Sequence, residues 1–246
     1  MPSVLDKKLL AKAYESARKK IEKNQIPTQL LPPEQPIFRS FNPTSPYTFL
    51  PKPAAGQSVR KQDANKLLIP PDGILDLDNR FSGPSYSKDS NGKDIPDAAG
   101  FYSVLQQQAL VNENAHYSGK PRDQALTGKC VIRLRLMGSM MVADLSPHNG
   151  FSRKFLQDLA VGTWDRMSDK LDCSIARGIG LAIAHSGYMA GLIAQTVRES
   201  ERSPLERGDN LVLFANPGNE ISNVYIDEAY YFTSSGVEIF PVEFKP

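Results

Sequence analysis

The chain has 246 residues, of which 40% are hydrophobic and 23% are charged, a composition typical of a soluble globular protein with one large or two small domains. Its 29 basic and 27 acidic residues nearly cancel, so charge gives no indication of nucleic-acid binding. No apolar run reaches the roughly 20 residues of a membrane-spanning helix, and the N-terminus lacks the apolar core of a signal peptide. These features predict a cytoplasmic protein without a membrane partner; a protein delivered into a target-cell cytoplasm would have the same composition.

The first predicted element is an amphipathic helix over residues 3–24. Ser3 is its candidate N-cap, with Asp6 at the third helical position. Apolar residues form one stripe along this helix, and lysines cover much of the rest. The stripe comprises Leu5, Leu9, Ala13, Ala17 and Ile21. We expect the helix to pack on its own domain with a solvated basic face; the alternative is a helix that binds a partner or a membrane surface.

Prolines interrupt residues 26–71 so often that no long regular element is expected there. One short strand is predicted at residues 37–41, within the sequence PIFRSF. A second loop, residues 81–99, is rich in Gly, Ser, Asn, Asp and Pro. A loop of this length is expected to be mobile or to form part of a binding site.

The segment GFYSVLQQQALVNENAHYSG, residues 100–119, predicts the end of a strand followed by a capped helix. Ser103 and Gln106 have the spacing of a capping box, which makes Ser103 the predicted N-cap of that helix. Polar side chains follow along the helix. A polar turn from strand to helix of this kind is typical of a cleft.

The second half of the chain is more regular. Strands are predicted at residues 131–137, 191–195 and 210–216, with one or two closing strands after residue 224. Helices are predicted within residues 151–171 and in the small-residue segment that begins at Ser174. Because the elements show no regular βαβ alternation, they predict an α+β fold with a mainly antiparallel sheet. The two cysteines, Cys130 and Cys173, have no zinc-ligand spacing and are predicted to be reduced core thiols.

Four short segments, in chain order, resemble motifs of the RES-domain family, which is named for an Arg, a Glu and a Ser. They are FRSFN around Arg39, NRFSGPS around Arg80, GFYSVLQQQALVNENAHYS, and GLIAQTVR followed by NLVLF. The resemblance spans roughly residues 36–216. It implies an N-terminal helical extension over residues 1–25 and a single RES-like catalytic domain over residues 26–246.

The family resemblance implies an ADP-ribosyltransferase-like core: a split, mainly antiparallel sheet with flanking helices and long Pro/Gly-rich loops. It also implies a bacterial toxin that consumes NAD as substrate and cleaves the nicotinamide–ribose bond without a metal. The alternatives are an ADP-ribosyltransferase that modifies a specific macromolecule and a catalytically silent RES-like binding module. A neutralising antitoxin or immunity protein and a macromolecular ADP-ribose acceptor are the partners implied.

The resemblance assigns roles to four residues. Arg39 and Arg80 match family arginines and would bind the dinucleotide phosphates or ribose, for which the planar guanidinium fork is suited. Tyr102 would line the nicotinamide pocket, where an aromatic ring can stack. Thr196 stands where the family has its Ser and keeps the hydroxyl for hydrogen bonding. The alternatives are a surface arginine, a loop ion pair, a core tyrosine and a β-branched strand residue.

The acidic residue is displaced by one position from the family pattern. Counting from Ala109, the position of the family Glu is occupied by Asn112, and His116 is in register with the family His. Glu113 follows one residue later, about 100° around the helix. Cleavage through an oxocarbenium-like state benefits from a nearby carboxylate, which favours Glu113 as the catalytic acid residue. The resemblance implies that Asn112 and His116 are binding residues; the alternative for His116 is a core histidine. If Asn112 takes the acid position, NAD cleavage is in doubt.

Overall fold

The computed structural model describes residues 6–46, 48–70, 81–146, 170–195 and 209–243. Within these ranges the helices are α1 Lys7–Glu22, α2 Lys61–Asn65, α3 Gln107–Ser118 and α4 Lys170–Ala184. Short 3₁₀ turns lie at Lys66–Leu68 and Arg122–Gln124. None of the described helices is long and apolar enough to cross a membrane.

Nine strands of the described ranges form one sheet. They are β1 Thr28–Leu31, β2 Pro36–Phe41, β3 Ala99–Val104, β4 Cys130–Leu136, β5 Met140–Asp144, β6 Gly191–Gln195, β7 Asp209–Ala215, β8 Val224–Thr233 and β9 Gly236–Pro241. Their order across the sheet is β1-β5-β6-β7-β3-β2-β4-β8-β9. β5 and β6 are parallel, and the other neighbouring pairs are antiparallel. The predicted α+β class with a mainly antiparallel sheet is therefore confirmed.

The sheet narrows to one register pair between β2 and β3. β2 pairs along all six of its residues with β4, and β3 pairs along all six of its residues with β7. Between β2 and β3 the register contains only Phe38 opposite Val104. We call this place the junction. It joins one half of the sheet, β1-β5-β6-β7-β3, to the other half, β2-β4-β8-β9.

Helix α1 packs on the sheet together with α4. Its N-cap is Asp6, whose side chain accepts hydrogen bonds from the backbone N–H groups of Lys8 and Leu9. The helix thus begins later than predicted, because Asp6 takes the capping position assigned to Ser3, which lies outside the described residues. Its buried residues are Leu10, Ala13, Tyr14, Ala17 and Ile21, and they belong to one core cluster with α4. The expectation that this helix packs on its own domain is confirmed.

The two faces of the sheet have different covers. On the face we call helical, β3, β5, β6 and β7 pack against α1 and α4, and β2, β3 and β4 pack against α3. On the opposite face, the loop face, residues from all nine strands pack against α2 and its flanking residues and against the segments near Ile221 and Val242. Side chains alternate between the faces along each strand, so neighbouring residues of β2 or β3 point to different covers.

Several predicted elements agree with the structure. The strand predicted at residues 37–41 is β2, and the one predicted at residues 191–195 is β6. The closing segment forms the β8–β9 hairpin. Strands β1 and β5 were not predicted. Cys130 is a free, fully buried thiol, as predicted, and the side chain of Cys173 lies outside the described residues. Of the helix predicted within residues 151–171, residues 151–169 lie outside the described residues, and Lys170 and Leu171 begin α4.

Candidate functional site

Three strands bring their carboxyl ends to one edge of the sheet. β5 and β6 are parallel, and β3 runs in the same direction because β7, between β6 and β3, is antiparallel to both. Helix α3 starts from this edge, two residues after β3 ends. The first half of β2 lies beside the end of β3, at the junction. The edge therefore collects residues from separate parts of the chain.

Arg39 lies on the loop face beside the junction. Its neighbours along that side of β2 are Ile37 and Phe41, both buried. The guanidinium carbon lies 4.3 Å from the centre of the Phe101 ring on β3, a cation–π contact that bridges the junction. A charged side chain thus occupies a position that β-strand alternation assigns to the apolar core.

The Arg39 guanidinium has no anionic partner among the described residues. Its Nη1 atom is buried and makes no hydrogen bond, while the residue as a whole keeps part of its surface accessible. Burial lowers the pKa of Arg39 to about 10, so the side chain still carries its positive charge at neutral pH. A buried charge without a partner is costly. The arrangement is therefore suited to a phosphate or carboxylate group that reaches the guanidinium from the accessible side.

Asn112, the residue that the resemblance aligns with the family glutamate, is a buried amide of α3. Asn112 is 5% exposed, and the Gln108 side chain reaches it with a long Nε2–Oδ1 hydrogen bond of 3.4 Å. Glu113 is less buried than Asn112 and lies next to it on the helix. His116 lies in α3, and its side chain is outside the described part of the chain. The helix thus directs Asn112 inward and leaves Glu113 partly accessible.

A hydrogen bond between α3 and β2 was missed in the sequence. The Asn114 side chain donates from Nδ2 to Ser40 Oγ at 2.8 Å and to the Leu110 carbonyl oxygen at 2.9 Å. Ser40 follows Arg39, and Asn114 follows Glu113. Because Ser40 points to the helical face and Arg39 to the loop face, α3 and the guanidinium approach the junction from its two sides. Only the strand pairing reveals this proximity.

The Tyr102 side chain points to the face of the sheet opposite the Arg39 guanidinium. It lies on the helical face, at the border of the α1–α4 cluster, and its hydroxyl oxygen accepts a hydrogen bond from the Phe81 N–H at 2.9 Å. The same Phe81 backbone touches α4 so closely that a Cβ at Gly180 would lie 1.9 Å from the Phe81 carbonyl oxygen. In this position the tyrosine ties the start of the loop to the sheet.

The capping role predicted for Ser103 is wrong. Ser103 lies inside β3, and its buried hydroxyl donates to the Leu211 carbonyl oxygen of β7 at 2.9 Å. The N-cap of α3 is Gln106, without a side-chain capping bond. The reason is that pairing with β7 continues through Val104, which keeps Ser103 in the strand.

Two predicted site residues, Arg80 and Thr196, lie outside the described residues. β6 ends at Gln195, directly before Thr196 in the chain, and this end is at the edge from which α3 starts. Within the described ranges, no three His, Cys, Asp or Glu side chains are grouped so as to hold a metal ion. The structure thus places Arg39 on the loop face, and it places Tyr102 and α3, the helix that carries Asn112 and Glu113, on the helical face. The Asn114–Ser40 hydrogen bond brings α3 to the strand that carries Arg39.

Comparison of the chain with protein-family models, with curated proteins and with solved structures gives no match.

Proposed function

We propose that the protein binds NAD as its substrate and cleaves the bond between nicotinamide and ribose. The single observation that carries the proposal is Arg39, a half-buried cation with a buried, unbonded Nη1 atom and no anionic partner among the described residues. A pyrophosphate supplies the negative charge that such a site needs, and a guanidinium can bind two of its oxygens at once. The four ordered sequence motifs support NAD over other phosphate-containing ligands.

In the proposed reaction the carbon–nitrogen bond to nicotinamide breaks, and its electron pair leaves with the nicotinamide nitrogen. Positive charge develops on the ribose, as in glycoside hydrolysis. The Glu113 carboxylate stabilises this charge, and Arg39 holds the phosphates. Water then forms the new bond to the ribose carbon and loses a proton to solvent; phosphate or a macromolecule can take its place as acceptor.

Nicotinamide release from NAD tests the proposal. We expect release by the purified protein and a decrease of about 100-fold in kcat for Glu113→Gln, a loss comparable to removal of one transition-state contact. Arg39→Ala should raise KM. Arg122→Ala and Asp123→Asn are matched controls, because both residues are exposed. Absence of release by folded protein, with candidate acceptors added, would contradict the proposal.

The destination of the ADP-ribose distinguishes hydrolysis from transfer. With NAD labelled in its adenylate part, a glycohydrolase or phosphorolytic enzyme leaves the label on a small product, and an ADP-ribosyltransferase leaves it on a macromolecule. In the proposed role as a cytoplasmic toxin, expression arrests growth, and both Glu113→Gln and Arg39→Ala relieve the arrest. A neutralising partner would relieve it without any substitution.

One observation favours a second candidate, a catalytically silent module that binds the dinucleotide. Asn112, not a carboxylate, is the buried residue at the acid position of α3. Such a module binds NAD or ADP through Arg39 but releases no nicotinamide, and Glu113→Gln leaves its binding unchanged. Calorimetric titration with NAD, run beside the release assay, separates the two candidates.

A further inference from the structure

We propose that Asn114 is a positioning residue. Through its hydrogen bond to Ser40, it sets the spacing between the strand that carries Arg39 and the helix that carries Glu113. The inference rests on the proposed function, since it concerns the alignment of the two groups assigned to phosphate binding and charge stabilisation. It adds two residues, Asn114 and Ser40, to which the family resemblance assigns no role.

The junction is where such a link is needed. The backbone ladder joins β2 to β3 through one register pair, so hydrogen bonding between these strands constrains their spacing weakly. Helix α3 follows β3 after two residues, so the chain connects it directly to the β3 half of the sheet, although its apolar residues pack against both halves. Ser40 belongs to the other half, through its strand's full pairing with β4. The Asn114–Ser40 hydrogen bond thus connects the two halves.

Asn114 is well anchored for this role. Its amide nitrogen has two hydrogens, and both have acceptors: one is Ser40 Oγ, and the other is the Leu110 carbonyl oxygen one turn earlier in α3. The second bond fixes the side chain against its own helix. Apolar contacts of α3 with the sheet supply attraction without direction, whereas this hydrogen bond specifies one distance and one angle.

The Ser40 hydroxyl has a further consequence for the site. Because Oγ accepts from Asn114, the hydroxyl hydrogen is directed elsewhere and is left as a donor at the junction, next to Arg39 in the chain. No second side-chain hydrogen bond of Ser40 occurs within the described ranges. Since the hydrogen bond needs both side chains, removing either one is expected to disturb the same alignment.

The experiment is a double-mutant cycle on NAD turnover with Asn114→Ala, Ser40→Ala and the double variant. We expect each single variant to lower kcat/KM by between about 10-fold and 100-fold, since small misplacements of reacting groups have effects of this size. The double variant should be no worse than the single ones, because one link is lost in all three. Ser40→Thr keeps the hydroxyl and should restore most of the activity. Asn91→Ala, in an exposed loop, is the matched control.

The outcomes separate this inference from the proposed function. A wild-type protein that releases no nicotinamide overturns both. Wild-type turnover together with unchanged kcat and KM in Asn114→Ala overturns the positioning role alone, and so do losses that multiply in the double variant. Alanine is favourable inside a helix, which keeps α3 formed in the variant. Where Asn114→Ala still fails to fold, Ser40→Ala and Ser40→Thr give the decision.

Discussion

The Arg39 guanidinium and the Phe101 ring face each other across the junction, with 4.3 Å between the guanidinium carbon and the ring centre. A desolvated cation–π contact contributes about 2 kcal/mol. The cost of burying a charge is several kcal/mol, so the ring offsets only part of it. A bound anion would supply the remainder. Stability and ligand binding should therefore respond in opposite directions when this charge is removed.

Arg39→Met should raise the free energy of unfolding by about 1 kcal/mol and abolish binding of pyrophosphate and ADP. Methionine keeps apolar contact with Phe101 while removing the uncompensated charge. Urea denaturation measures the stability, and calorimetric titration measures the binding. Arg122→Met, at an exposed position, should change neither. A large loss of stability in Arg39→Met would instead identify Arg39 as a structural residue.

Gly180→Ala should destabilise the protein by about 3 kcal/mol, the upper range for an overpacked core. The added Cβ would meet the Phe81 carbonyl oxygen at 1.9 Å, and the contact is with backbone that cannot rotate away. Thermal denaturation checks the effect. Gly138→Ala is the matched control, since a Cβ there has no heavy atom within 4 Å. Equal melting temperatures for the two variants would contradict the close packing of α4 on Phe81.

The contribution of Asp227 to stability can be tested by varying the pH. It is the extra residue where the β4–β8 register shifts, and its carboxylate accepts hydrogen bonds from Arg133 and Arg135. Burial alone raises the pKa of Asp227, but the two arginines outweigh burial and hold it below the ordinary value of 3.8. A carboxyl group with a lowered folded-state pKa stabilises the protein above its unfolded-state pKa. That contribution is lost as the pH falls through the folded-state pKa.

Asp227→Asn should therefore lower the free energy of unfolding by about 2 kcal/mol at pH 7, the size of a hydrogen bond to a charged group. The difference in stability between wild type and variant should shrink below about pH 4, where protonation removes the negative charge of the wild-type side chain as well. Urea denaturation across this pH range measures it. Asp123→Asn, at an exposed position, is the control. A difference that stays constant with pH would exclude the charge as its cause.

The thiol of Cys130 should be unreactive in the folded protein. Burial raises its pKa to about 12, so almost none of it is thiolate at pH 8. In a Cys173→Ser background, a disulfide reagent should therefore titrate no thiol before unfolding and one after it. Rapid modification in native buffer would show that the β4 end opens readily.

The sequence was most informative where local chemistry decides the structure. The alternation of PIFRSF predicts β2, and proline density predicts the scarcity of long elements within residues 26–71. Elsewhere, pairing between strands that are far apart in the sequence decides the structure. Ser103 has the spacing of a cap, but its pairing with β7 keeps it extended. The short edge strand β1 has burial on a single residue, Leu31, and so gives no periodic pattern.

The site was predictable in part for the same reason. Arg39 between Ile37 and Phe41 can be assigned to an apolar face from alternation alone. The opposite orientation of Tyr102 depends on the single pair of Phe38 with Val104, which no local pattern contains. The bond between Asn114 and Ser40 depends on the same long-range register. Residue types predict which side chains could bind phosphate or stabilise charge, and strand order decides which of these side chains lie on the same face of the sheet.

The junction also has a consequence for how the chain can be divided. The polypeptide passes from one half of the sheet to the other after β1, β2, β3, β4 and β7. Neither half is therefore a continuous stretch of sequence, and no single cut releases one of them intact. The two halves share a single backbone register pair, and the chain alternates between them. A fragment that ends anywhere within residues 36–223 therefore lacks strands of the sheet.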